Sequence, residues 1–511
     1  MLKKIRVTVS VILFTFITLY FLDFAGYLPG QFKVLTEIQF IPALLALNVV
    51  VLVALLVLTL LFGRVYCSSI CPMGIFQDVV AWVSKKIRKK KKYTFSKAKN
   101  VLRWSVLGIT LVAFLFGFTF LLGLLDPYGA YGRIVTHVFR PAYLAGNNLL
   151  ESIFTSFGNH TFYRVSIYNL SVFSTITALV TLFVIGFLAW KNGRTYCNTI
   201  CPVGTVLGFL SKFSLFKVQL LDEQCNSCGL CAFKCKASCI DVKNKEIDYS
   251  RCVTCFNCLE ACKRNGVKYT LAIPKKKKED KGTSAFTSEK NKSIDESKRR
   301  FLSTTLITSV AAGSLLAQEV LPKRELKRQT PIAPPGALNV ERFREKCISC
   351  HLCVSKCPSR VIKPAFLEYG LGGMMQPKLY FDRGYCNYDC TICSEVCPTD
   401  ALVRLTKEEK HHTQMGRVNF ILENCIVYYD ETSCGACSEH CPTQAVRMVP
   451  YKGALTIPET NTDICVGCGG CEYVCPAIPF KAIFVEGLST HAHIEIEKDE
   501  IEDIDVDDFG F

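Results

Sequence analysis

Residues Gly63-Arg64-Val65-Tyr66-Cys67-Ser68-Ser69-Ile70-Cys71-Pro72-Met73-Gly74 return downstream as Gly193-Arg194-Thr195-Tyr196-Cys197-Asn198-Thr199-Ile200-Cys201-Pro202-Val203-Gly204. Each copy follows a long apolar run, so the first part of the chain reads as a duplicated unit built around paired thiols. The other 25 of the 29 cysteines lie further along, in tight groups. An apolar, duplicated half thus precedes a cysteine-rich half.

Apolar runs cover about residues 7–22, 40–62, 104–125 and 171–190. Each is near the ~20 residues that cross a hydrocarbon core. Basic residues cluster beside them: Lys3, Lys4 and Arg6, then Lys85 to Lys99, then Lys191 and Arg194. Basic loops mark the inner face. The pattern predicts an α-helical membrane domain of four spans over residues 1–219, with loops 23–39 and 126–170 outside. Both Cys-x3-Cys-Pro copies then sit at inner helix ends, as parallel repeats about an axis along the membrane normal. The same placement of charge argues against nucleic acid as the partner of a chain with net charge +16.

A fifth apolar stretch, 301–317, follows Ser297-Lys298-Arg299-Arg300-Phe301-Leu302, which resembles a twin-arginine export motif with Lys298 in place of the first arginine. It reads as a signal or an anchor helix, and either reading puts everything after 317 in the periplasm. The expected location is the bacterial inner membrane, multi-pass. Residues 274–300 are a basic, apolar-poor linker. Pro331, Pro334 and Pro335 make a stiffer connection, and 491–511 form an acidic tail.

The downstream cysteines mostly repeat as C-x2-C-x2-C-x3-C, with Cys386-x3-Cys390 close to it and the group opened by Cys425 stretched to C-x8-C-x2-C-x3-C. Disulfide scaffolds show no such fixed period, and zinc ribbons need separated pairs. Four thiols within eleven residues fit 4Fe–4S clusters. Residues 220–273 carry Cys225, Cys228, Cys231 and Cys235, then Cys252, Cys255, Cys258 and Cys262, the pattern of a two-cluster bacterial ferredoxin. There the fourth cysteine of each run ligates the other cluster. Lys236 and Lys263 stand where proline is usual. Cys239 is spare, either replacing Cys235 as ligand or packing as a small apolar group.

Residues 338–490 hold sixteen more: Cys347, Cys350, Cys353, Cys357; Cys386, Cys390, Cys393, Cys397; Cys425, Cys434, Cys437, Cys441; and Cys465, Cys468, Cys471, Cys475. Sixteen ligands for four clusters leave none over, which makes six clusters in the chain. Sequential pairing of the groups and nested pairing of first with last are both open. The fold expected for both modules is the α+β bacterial ferredoxin.

Cys67, Cys71, Cys197 and Cys201 admit three readings: an additional intramembrane iron or iron–sulfur site, a redox-active thiol pair, or a turn in which Cys-Pro ends a helix. Asp126, Arg133 and His137 follow the third span in a stretch broken by Gly and Pro. They read either as a quinol head-group pocket with His137 or Asp126 taking protons, or as a polar interfacial loop.

On these motifs the chain resembles two electron-supply proteins joined end to end. Residues 1–273 resemble the NapH-type membrane quinol dehydrogenase component, and residues from about 297 onward resemble the NapG/MauM-type exported four-cluster ferredoxin. The membrane half is also similar to the nitrous-oxide-reduction regulator and a cytochrome oxidase assembly family, though a covalent flavin-attachment motif is absent. The resemblance implies electron flow from quinol, or an inner donor, through the clusters to a periplasmic reductase or cytochrome acceptor. It implies a quinol dehydrogenase or electron-transfer subunit rather than a terminal reductase. The other reading is an assembly or regulatory factor that reduces a metal or thiol in a partner respiratory enzyme.

Overall fold

The computed structural model describes residues 1–23, 26–88, 93–167, 171–221, 224–272 and 328–495. The expected linker at 274–300, the 301–317 helix and most of the acidic tail lie outside them.

Helix α1 (Leu2–Leu22) is 21 residues of mostly apolar sequence, about 31 Å at ~1.5 Å per residue. Together with the 21-residue helix Val172–Asn192 it makes two helices long and apolar enough to cross a membrane. The four uninterrupted spans expected from hydropathy are not observed. The run at 40–62 divides into Phe40–Leu45 and α2 (Val49–Phe62). Leu47 takes a left-handed φ of 56° there, and the Asn48 side chain accepts from Val51 N at 3.2 Å, starting a new helix. The run at 104–125 divides into Asn100–Leu115 and Thr119–Leu125 at Gly117, φ 77°. Apolarity cannot report a break made by a cap or a left-handed residue.

These helices expose much of their apolar surface. Val50 on α2, Val101 on Asn100–Leu115 and Phe183 on Val172–Asn192 are 80 %, 83 % and 74 % exposed. An apolar belt of this extent calls for a covering partner, and it is compatible with membrane association.

The two copies of the repeat fold alike. Gly63 and Gly193 end their long helices at φ 77° and 78°, short helices Val65–Ser69 and Thr195–Thr199 follow, and Pro72 and Pro202 each open the next helix. Proline fits that position because its missing N–H would have no intrahelical partner. The helices so started are α3 (Pro72–Ile87) and the helix Pro202–Leu210.

The inner module pairs strands Phe216–Leu220 and Val267–Leu271 antiparallel, with Val218 opposite Tyr269. The short helices Leu230–Lys234 and Asn257–Ala261 lie between them in sequence. It seats directly on the repeat: Leu215 N donates to Leu60 O at 2.8 Å, and Arg194 N to Lys236 O at 2.9 Å. A side chain at Gly193 would strike the Lys236 backbone.

The outer module contains three antiparallel strand pairs: Ile362–Pro364 with Pro377–Leu379, Thr413–Phe420 with Ile483–His493, and Val446–Pro450 with Thr456–Thr460. Its fold starts before the expected boundary at 338. Ile332, Ala333 and Ala337 are buried in its core, and Leu379 N donates to Ile332 O at 2.8 Å. The proline-rich stretch is therefore part of the module rather than a spacer.

This module docks at the opposite end of α1 from the inner one. Lys3 pairs with Glu260 of the inner module, while Asp23, just past the last turn, pairs with Lys356 of the outer module at 2.7 Å. Glycines permit the contact: a Cβ at Gly132 would collide with Cys350 O and Phe21, and one at Gly123 would meet Ile348 O.

Candidate functional site

Cys67, Cys71, Cys197 and Cys201 are each 3–4 % exposed and face one another closely enough to interact electrostatically. Donors aim at the sulfurs: Gln77 Nε2 reaches Cys197 Sγ at 3.1 Å, Gly204 N reaches Cys201 Sγ at 3.3 Å, and Arg64 Nη2 stands 3.7 Å from Cys67 Sγ. The repeats also exchange arginines. Arg194 Nη1 donates to Cys67 O at 2.6 Å and Arg64 Nη2 to Cys197 O at 3.2 Å. Both guanidiniums are buried, at 1 % and 0 % exposure.

Arg194 is balanced by Asp78 at 2.6 Å, a carboxylate that also takes Lys236 at 2.6 Å and Arg6 at 3.3 Å. Arg64 reaches Asn198 Oδ1 at 3.0 Å and Ser250 O at 3.1 Å, with no carboxylate partner among the described residues. Three cations thus share one carboxylate, and a fourth, Arg64, has none, around four thiols. An anionic centre is what such a pocket requires, since buried charge must be paired. No three His, Cys, Asp or Glu side chains among the described residues close on one point as a single ion would need. Four thiols lining one buried, cation-rich pocket are a donor set that an iron–sulfur cluster accepts.

In the inner module Cys225, Cys228 and Cys231 group together, with Cys262 half-buried. Cys252, Cys255 and Cys258 gather with Cys235, which is one half of the exchange of fourth cysteines expected of a two-cluster ferredoxin. Cys239 lies 3.5 Å from Cys235 Sγ and also contacts Cys252. The Cys239 thiol, then the backbone N–H groups of Cys239, Ala237 and Ser238, hold the Cys235 thiol below its ordinary range. Backbone donors converging on one sulfur are the surroundings of a cluster ligand. Lys236, where proline was expected, reaches across to Asp78 and ties this module to the tetrathiol pocket.

In the outer module the groups pair sequentially. Cys397 faces Cys347, Cys350 and Cys353, whereas Cys357 joins Cys386, Cys390 and Cys393 around a small recess. Likewise Cys441 faces Cys465, Cys468 and Cys471, and Cys475 joins Cys425, Cys434 and Cys437 around a second recess. These all-thiol recesses fit 4Fe–4S clusters. Lys410, buried at 4 % exposure, adds a cation 3.5 Å from Cys386 Sγ.

Arg133 lies within electrostatic reach of both Asp126 and His137, and each of the three has a partner of its own. Asp126 caps the helix Pro127–Ile134, accepting from Gly129 N at 2.5 Å. Arg133 clamps the outer module, donating to Ser349 O at 3.2 Å and Gly123 O at 2.9 Å. His137 Nε2 lies 2.7 Å from His351 Nδ1, and His351 Nε2 lies 2.8 Å from Met375 O. Since a carbonyl only accepts, His351 donates through Nε2 and accepts at Nδ1 from His137. Burial holds His351 neutral, far below its ordinary pKa. His137 borders a cavity between the bundle and the outer module.

Sequence reasoning missed Asp78, Gln77, Lys236, Lys410 and His351 as parts of these sites. Arg64 and Arg194 were visible: both stand in the repeat, three residues before its first cysteine.

Comparison with known proteins agrees with the thiol geometry. A family described as "4Fe-4S binding domain" matches residues 44–91 and 172–220, the two repeats, and "4Fe-4S dicluster domain" matches 346–401 and 432–478. The uncharacterized protein MJ0749 of Methanocaldococcus jannaschii is 27% identical over 54% of this chain and 90% of its own length. The methylamine utilization ferredoxin-type protein MauM of Methylobacillus flagellatus is 29% identical over 36% of this chain and 81% of its own. The ferredoxin-type protein NapG of Escherichia coli K12 is 32% identical over 35% of this chain and 80% of its own. No solved structure matches. Fold, thiols and relatives together define an iron–sulfur electron-transfer protein that binds 4Fe–4S clusters. The chain belongs to the family of ferredoxin-type proteins that includes NapG.

Proposed function

We propose that this chain is a membrane-bound conduit that passes electrons from quinol, or from an inner donor, to a periplasmic reductase or cytochrome. Six 4Fe–4S clusters at the eight inner and sixteen outer cysteines would be the carriers, and Cys67, Cys71, Cys197 and Cys201 would hold a further redox centre between them.

One observation carries this reading. A single contiguous core contains Cys255 of the inner module, all four repeat thiols and Cys350 of the outer module. Helix α1, long enough to span a hydrocarbon core, is tied to the inner module at one end and the outer module at the other. Bound clusters supply one-electron carriers. The chain's own part is to hold them in dry surroundings and to set the charge beside them through Arg64, Arg194, Lys236 and Lys410. Quinol as donor rests on the resemblance to the NapH-type component.

The test is reconstitution into vesicles with ferricyanide trapped inside and a membrane-impermeant reductant outside. Wild type should carry electrons across, and Cys67→Ser and Cys197→Ser should each slow transfer about tenfold or more while the outer-module EPR signals persist. Equal rates in both variants would remove the tetrathiol centre from the path. Iron far below the ~24 atoms that six clusters contain would refute the cluster count.

A further inference from the structure

We propose that the cavity beside Arg140, between the helix bundle and the outer module, binds a phosphate-type oxyanion. The cavity measures about 190 Å³. One water claims about 30 Å³, so a tetrahedral anion has room.

Its lining is cationic on one side. Arg140 comes from the first turn of the helix Arg140–Ser156, while Arg360, Lys363 and Arg383 come from the outer module. Lys363 and Arg383 share one carboxylate, Asp382, at 2.7 Å and 3.6 Å. Arg360 donates to the Ser166 carbonyl and hydroxyl at 2.7 Å each. Arg140 is only 7 % exposed, and its side chain makes neither hydrogen bond nor ion pair among the described residues. It also sits close enough to Arg360 to be repelled by it. A buried guanidinium that faces a second guanidinium and no carboxylate is costly unless an anion enters. Planar guanidinium forks match phosphate oxygens with paired hydrogen bonds.

The other side of the cavity is apolar, formed in part by Leu144 and Ile167. That surface suits the glycerol and first methylenes of a phospholipid, and this source of phosphate rests on the membrane reading above. Free phosphate needs only the cationic side. A bound headgroup would join the outer module to the bundle through Arg140 and Arg360, with no covalent chemistry.

The competing use of these cations is to balance a cluster, because Cys357 is also within electrostatic reach of Arg140. Three measurements on the full chain separate the cases. Native mass spectrometry of gently solubilised protein reads retained phospholipid, and calorimetric titration of delipidated protein with inorganic phosphate reads free-anion binding. Redox titration reads the outer clusters. We expect either one retained phospholipid per chain or saturable phosphate binding, and Arg140→Gln should weaken whichever occurs about tenfold or more. Retention without phosphate binding identifies a lipid site; phosphate binding without retention identifies a free-anion site. Wild type that holds neither overturns the proposal without recourse to a variant. So does Arg140→Gln that binds as wild type does. If wild type holds neither and Arg140→Gln shifts only a cluster potential, the guanidinium serves the cluster. Vesicle electron transfer intact in a chain that binds no anion would sink this site and leave the conduit standing.

Discussion

Asp78 Oδ1 accepts from Arg194 Nε at 2.6 Å, joining helix α3 of the first repeat to the arginine of the second. The same carboxylate holds Lys236 of the inner module and Arg6 of α1. Three elements distant in sequence therefore depend on one acid. Asp78→Asn keeps the shape and removes the charge, leaving three buried or half-buried cations unpaired. Removing one partner of a buried ion pair costs about 3–5 kcal/mol. We expect a fall in the thermal midpoint of the solubilised protein, read by intrinsic fluorescence, and faster proteolysis between the bundle and the inner module. An unchanged midpoint would mean that water already reaches this network.

Cys235 and Cys239 present a choice that spacing alone leaves open. Cys235 receives backbone donors from three residues, whereas Cys239 lies fully buried against Cys235 and Cys252. Cys235→Ser should therefore lose one inner cluster, about four iron atoms per chain. Cys239→Ser should keep the full iron content and shift only the potential of that cluster. The reverse pattern in iron analysis and EPR would make Cys239 the ligand.

What was legible in the sequence were features fixed by local covalent spacing. The cysteine groups, the repeat and the junction at Gly63 and Gly193 are properties of a few consecutive residues. The pairing of Cys397 with the first outer group and of Cys357 with the second was not legible. It depends on how two halves of a module fold onto each other. Lys236 shows the same limit: its departure from the usual proline is visible, but its reason is Asp78, 158 positions earlier in the chain. Two of the four expected spans are interrupted for another physical reason. Hydropathy averages over Leu47 and Gly117, while a single left-handed residue ends a helix.

His491 makes the outer module sensitive to acid. Both ring nitrogens are buried without partners among the described residues, and burial pushes its pKa down to about 4. An unfolded histidine titrates near ~6.5. Below that value the unfolded chain takes up a proton that the folded chain refuses, so this contribution is complete above ~6.5 and is lost as pH falls toward 4. Between pH 7 and pH 5 the loss is about 2 kcal/mol at ~1.4 kcal/mol per unit. His491→Leu should flatten the pH dependence of denaturant midpoints over this interval. A slope equal to wild type would assign the acid sensitivity elsewhere.

Lys410 tests whether charge near a thiol sets a cluster's potential. Its Nζ is 3.5 Å from Cys386 Sγ, and its other contacts are the backbone carbonyls of Asn387 and Cys390 at 2.5 Å and 2.6 Å. A cation there favours the more negative, reduced form of a cluster held by Cys357, Cys386, Cys390 and Cys393. Lys410→Met keeps most of the packing and deletes the charge. The midpoint of one outer cluster should move negative by on the order of 60 mV, the one-electron equivalent of a tenfold change, while the others stay in place. Lys410→Arg should restore most of it, because the charge returns even if the carbonyl contacts do not. Loss of that cluster's EPR signal in Lys410→Met, with recovery in Lys410→Arg, would instead assign the lysine to holding the ligand loop. No movement in either variant would mean that solvent screens the amine from the thiol.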